Sequence, residues 1–200
     1  MTEKPHIIPR IAINSIASGM LMMAFFTMMW AGIAYGSLDN KYHVIILVVF
    51  GLFSGAFVAN AIHLFSISKK FPKMEVEADK AEGKRSGRWF GIIFGAEGLG
   101  IFVAINIVTN IGHANLTIPV IALVVGLHFY PMARIFKRTI DYYLATWTTL
   151  IATLAIILIL RKSYSPENVY VFVGLGTAIA TSCYGLYMMV SGRKLAKLVN

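Results

Sequence analysis

Six apolar stretches, at residues 11–36, 44–67, 88–110, 116–135, 142–160 and 169–190, dominate this chain and leave little between them. Each exceeds the ~18 residues that mark a bilayer-spanning helix, because ~20 residues at 1.5 Å rise cross a hydrocarbon core of ~30 Å. No water reaches the backbone there, so every span must satisfy its own N–H and C=O groups as a helix. The fold expected is all-α: a polytopic membrane protein with six transmembrane helices in three hairpins, residues 1–200 forming a single transmembrane domain. The lipid bilayer is its first partner.

Charge and composition fit this frame. Only 14% of residues are charged, against roughly a quarter in soluble domains. In a soluble chain a net charge of +9 would suggest nucleic acid, but here the basic residues occupy the short connections between apolar runs, so topology accounts for them and no nucleic-acid partner is expected. Cys183 is the single cysteine, which excludes an internal disulfide and cysteine-cluster metal sites; it reads as a small packing residue. Lys4 and Arg10 before a long apolar run imitate a signal peptide, yet the run is too long for an h-region of ~7–15 residues, and the first span reads as uncleaved.

Orientation follows from the basic residues. Of the 18 Lys and Arg, only Lys41, Arg161 and Lys162 fall outside the N-terminus, the C-terminus, and the second and fourth connections with Arg88 and Arg134 at the span ends that border them. The positive-inside rule then puts both termini and the 68–87 loop in the cytoplasm. That loop mixes Lys and Arg with Glu75, Glu77, Asp79 and Glu82 and reads as a mobile or partly helical surface connection. Trp30, Tyr35 and Tyr42 suit the outer interface, and Trp89, Tyr142 and Tyr143 the inner one. VVFGLF at 48–53, VVGLHF at 124–129 and FVGLGT at 172–177 echo one another, either as a triplicated hairpin or as a consequence of shared composition.

Within the third span, FGAEGLG at 94–100 holds an ionisable group among glycines. Gly87, Gly91 and Gly95 recur every fourth residue, a spacing that allows helices to approach closely, within the bundle or in a homo-oligomer. Glu97 lies ~120° from that stripe and ~13 Å into the span. A carboxyl group at that depth costs at least ~2.5–3.5 kcal/mol on insertion scales, so it must meet protein or water. Asn60 and His63 in span two, and His128, Tyr130 and Arg134 in span four, fall in the same cytoplasmic half. Together with Glu97 they form the candidate ligand-binding set, Arg134 being the favoured charge partner. Ser182, Tyr184 and Tyr187 reach a similar depth, and Asp141 reads as a helix N-terminal carboxylate. In LHFYPMAR at 127–134, Pro131 frees a backbone acceptor at an expected kink. Two histidines at different depths do not suit bis-histidine haem; no cofactor, metal or catalytic residue is assigned, since no nucleophile, phosphate-loop or zinc motif appears.

The stretches RWFGIIFGAEGLG at 88–100 and IPVIALVVGLHFYPMARIF at 118–136 resemble a group of small bacterial integral membrane proteins with similar arginine-glycine-glutamate and leucine-histidine-phenylalanine-proline-arginine runs. The resemblance covers about a quarter of the chain, implies the bacterial inner membrane and brings no activity with it. Six short-looped spans also resemble the substrate-capturing components of energy-coupling vitamin transporters, although span one lacks their alanine-xxx-alanine docking pair. A transporter or small-ligand-binding membrane module leads the functional readings. A membrane enzyme acting on lipid or isoprenoid through Glu97 or His128, and a non-catalytic scaffold or sensor, stand beside it.

Overall fold

The computed structural model describes residues 9–38, 43–73 and 77–197, apart from the side chains of 43, 77–80 and 82. It is all-helical across the expected spans: α1 Arg10–Ser37, α2 His43–Ser68, α3 Glu77–Asn110, α4 Thr117–Phe136, α5 Thr139–Leu160 and α6 Pro166–Ala196, with a single 3₁₀ turn, Ala114–Leu116, before α4. All six are long and apolar enough to cross a bilayer. Lys4, Lys41, Tyr42 and Glu75 lie outside the described residues.

Helix ends depart from the hydropathy limits where local chemistry favours it. Residues 77–87 continue α3 as helix rather than loop, because Glu, Ala, Lys and Arg are strong helix formers whose polarity hides them from a hydropathy reading. At ~1.5 Å per residue the 34-residue α3 is ~51 Å long and outreaches the ~30 Å core. Ser165 caps α6 by accepting from the Asn168 N–H, and Pro166 takes the first-turn place where its missing N–H costs nothing. Helix α4 continues through Pro131 to Phe136 as one element.

Helix pairs α1–α2, α3–α4 and α5–α6 are in contact, as three hairpins require, but the chain's organising contact is between the first and last helices. Helix α6 packs on α1, α2, α4 and α5, whereas α3 packs chiefly on α4. Of the most apolar window of each helix, 61% is buried in α6 and 11% in α3, which makes α6 the axis of the bundle and α3 its outrigger. Arg10 donates its backbone N–H to the Pro72 carbonyl at 2.9 Å, and Gly192 approaches Ile16 and Leu64. The start of α1 and the ends of α2 and α6 therefore share one end of the bundle.

Lipid tails are as apolar as leucine, so helices in a membrane associate through close packing and interhelical hydrogen bonds. A Cβ on Gly174 would stand 2.8 Å from the Trp30 carbonyl oxygen and the Ala34 nitrogen, so only glycine permits this backbone approach of α6 to α1. Gly126 does the same for α4 against Thr149 of α5. Hydrogen bonds reinforce the frame: Thr27 Oγ1 to Thr181 Oγ1 at 2.9 Å, Ser54 Oγ to the Ala24 carbonyl at 3.0 Å, and Trp147 Nε1 to the Gly176 carbonyl at 2.9 Å.

Several expectations change here. A Cβ on Gly87, Gly91 or Gly95 would meet nothing within 4 Å, so among the described residues their stripe packs against nothing. Trp30 is 1% exposed, packed inside the bundle rather than facing lipid. Cys183 is exposed on α6 rather than packed. The three echoed segments also sit in unlike surroundings: Gly51 is open, Gly126 meets α5 and Gly174 meets α1.

Replacing Gly174 with leucine is expected to destabilise the purified protein by about 1–3 kcal/mol through overpacking, seen as a lower thermal midpoint in detergent. Gly95→Leu should leave that midpoint unchanged.

Candidate functional site

Glu97 on α3 faces His128 on α4, with Oε1 3.4 Å from Nδ1 and side-chain exposures of 10% and 9%. This is the one carboxylate–cation contact among the described residues. The separation exceeds the ~2.7–2.9 Å of a charge-assisted hydrogen bond, and Nδ1 finds no aligned acceptor. One proton shared between the two groups gives either a charged or a neutral pair, so the contact can hold a proton without leaving a lone buried charge.

His128 belongs to a circuit of ring contacts that Arg138 closes. His128 lies 6.1 Å from Phe94 and 4.2 Å from Phe129, centroid to centroid. From Phe94 the contacts run through Phe90 to Phe136, over whose ring Arg138 stacks at 5.4 Å. Arg138 Nη1 donates to the Tyr184 hydroxyl at 3.2 Å, and Tyr184 meets Phe129 edge-on. Next to Tyr184 and Arg138 stands Asp141, fully buried, with neither carboxylate oxygen in hydrogen-bond geometry. It is thus a core residue of α5's first turn, and its place there benefits from the helix dipole.

The remaining candidates point elsewhere, and helix geometry explains why. Arg134 follows His128 by six residues, ~600° or about 120° around α4; it is exposed, and its side chain makes no ion pair with Glu97. Tyr130, ~200° from His128, turns to α5, its hydroxyl 3.2 Å from Thr146 Oγ1 and its ring beside Tyr142. The single stretch LHFYPMAR therefore serves three directions.

Asn60 and His63 belong to a separate place. They line a cavity of about 330 Å³ with Met20, Leu64, Met189, Arg193, Ala196 and Lys197, at the end of the bundle where α1 begins and α2 and α6 end. Arg193 Nε donates to Asn60 Oδ1 at 3.0 Å, while Asn60 Nδ2 donates to the Ala56 carbonyl at 2.8 Å. Arg193 and Lys197 count in the sequence only as topological charges. Their signal lies in spacing: 189, 193, 196 and 197 fall on one helical face, as do 60, 63 and 64 on α2. The lining carries two cations and a histidine, with no carboxylate among the described residues to balance them. No group of three or more His, Cys, Asp or Glu suited to a metal occurs among the described residues.

A double-mutant cycle tests the Glu97–His128 contact. Glu97→Leu and His128→Phe should each lower the thermal midpoint. The double variant should lose less than their sum, with a coupling of about 0.6–2 kcal/mol as for interhelical polar contacts in membranes. Strict additivity would mean the two side chains do not act as a pair.

Comparison with protein-family models, with curated proteins and with solved structures gave no match.

Proposed function

We propose that this multi-pass membrane protein resides in a bacterial cytoplasmic membrane and binds a small anionic molecule from the cytoplasmic side, as a ligand-binding or transport module. The observation that carries this reading is the cavity at the shared end of α1, α2 and α6, where Arg193, Lys197 and His63 stand over an apolar floor. Its volume of about 330 Å³ lies at the lower end of the ~300–1,000 Å³ typical of small-molecule sites. The lack of carboxylates in the lining favours an anion, and the basic connections favour the cytoplasmic side for this end. Glu97 and His128 lie outside this cavity lining and belong to the frame that carries it.

A structural role for Glu97 and His128 is favoured by α3 itself, the least buried helix, which packs chiefly on α4. Their contact ties the outrigger at membrane depth, where a polar link replaces the hydrophobic drive that lipid removes. Scaffold and ligand-binding roles are thus assigned to different sets of helices, α3 and α4 for the first and α1, α2 and α6 for the second.

Thermal stabilisation of the purified protein by a panel of anionic, neutral and cationic metabolites tests the reading. Anions at about 100-fold their dissociation constant should stabilise by about 2.7 kcal/mol, and Arg193→Ala should remove the response. A flat response across the anions would overturn it. Glu97→Gln should change the midpoint and leave the anion response intact.

A further inference from the structure

Resting on the cavity's role as an anion site, we infer that its ligand is a phosphate-headed amphiphile: a phosphate monoester joined to an apolar chain. The head site has the right chemistry. Arg193 is held through Nε by Asn60, which is itself anchored to the Ala56 carbonyl. This fixes the guanidinium plane and leaves both Nη groups free to fork onto a tetrahedral anion, the geometry in which arginine exceeds lysine. Lys197 adds a second positive charge, and among the described residues no acidic side chain lines the cavity to offset either. Two cations match a phosphate monoester, which carries about −1.5 to −2 at neutral pH, better than a carboxylate.

The floor supplies the second half of the specificity. Met189 and Ala196 give the cavity an apolar wall, with the buried Met20 and Leu64 packed behind it. Methionines adapt to chains of varied shape. From Lys197 back to Met189 the α6 face runs eight residues, ~12 Å along the helix, from the cationic end towards membrane depth. Inorganic phosphate would leave that wall bare, and an uncharged chain would leave the cations unpaired. A ligand with both parts satisfies both, and the cavity volume holds a head and a short length of chain. The same chemistry occurs in a membrane phospholipid with a monoester head and in a soluble alkyl phosphate.

Equilibrium binding to the full-length protein in nanodiscs of neutral lipid, using octyl phosphate, octanoate, octanol, inorganic phosphate and a phosphatidic acid with two short chains, tests this. Octyl phosphate is expected to bind at least about ten-fold more tightly than octanoate, octanol or inorganic phosphate, a difference of ~1.4 kcal/mol. Arg193→Gln should weaken it by at least that factor. Lys197→Gln, at an exposed position that folding does not depend on, should weaken it several-fold, and Lys194→Gln, outside the cavity lining, should not. Tight, Arg193-dependent binding of the phosphatidic acid as well assigns a membrane source; binding of octyl phosphate alone assigns a soluble one, and either supports the inference. Octanoate binding as tightly as octyl phosphate, with the same Arg193 dependence, overturns the phosphate head while leaving the anion site standing. Binding insensitive to both Arg193→Gln and Lys197→Gln overturns the inference, and absence of binding by every anion overturns the anion site with it.

Discussion

The approach of α6 to α1 at Gly174 is the contact on which the rest of the bundle depends. A side chain there would collide with the backbone at Trp30 and Ala34, and lipid offers no hydrophobic drive to compensate for a lost fit. Because α6 can come this close, it touches four other helices and carries the groups at its far end into place. Tyr184 reaches Arg138, and Arg193 reaches Asn60. The cavity lies where α6 runs on beyond the closest packing, beside the ends of α2 and the beginning of α1. Its cations stand at the level where charge is tolerated, and its methionines at the level where it is not.

The number of helices and the all-α class were legible in the sequence because hydropathy reports on the bilayer, and the bilayer dictates both. Which helix would be central was not legible in the same way. The stripe at Gly87, Gly91 and Gly95 advertises itself by regular spacing, yet it packs against nothing among the described residues. Gly174, Gly185 and Gly192 are spaced by eleven and seven residues and look unrelated. At 100° per residue, however, all three fall within ~20° of one line along α6, with Thr181 beside them. They meet α1 at Trp30 and Ala34, α2 at Phe57, and both helices at Ile16 and Leu64. A periodicity followed over five turns carries the signal that a four-residue motif misses.

The site was legible in fragments. Glu97 stands out because a carboxyl group in an apolar run is costly, and its facing histidine is one of the few polar groups available at that depth. The six candidate residues do not form one pocket, because neighbours in sequence on a helix diverge in direction: His128, Tyr130 and Arg134 face α3, α5 and the outside. Asn60 and His63 were noticed for their polarity, but Arg193 and Lys197 were absorbed into the charge asymmetry that sets topology. Both uses of a basic residue look alike in sequence. Only the packing of α6 against α2 separates an anchor from a cation that lines a cavity.

The distribution of polar groups separates two regions of the bundle, one where α3, α4, α5 and α6 meet and one between α1, α2 and α6. His128 and Tyr184, beside Glu97 and Asp141, place their polar atoms among the rings of Phe94 and Phe129. Around Arg193 the polar atoms border open volume. A structure of the full chain in nanodiscs made from the native membrane tests this division most directly, by whether non-protein density fills the space between Asn60, His63, Arg193 and Met189. The expected result is density with its strongest feature against the Arg193 guanidinium and an extension along Met20 and Met189. An empty or collapsed cavity, with Arg193 turned away from Asn60 into solvent, would contradict it.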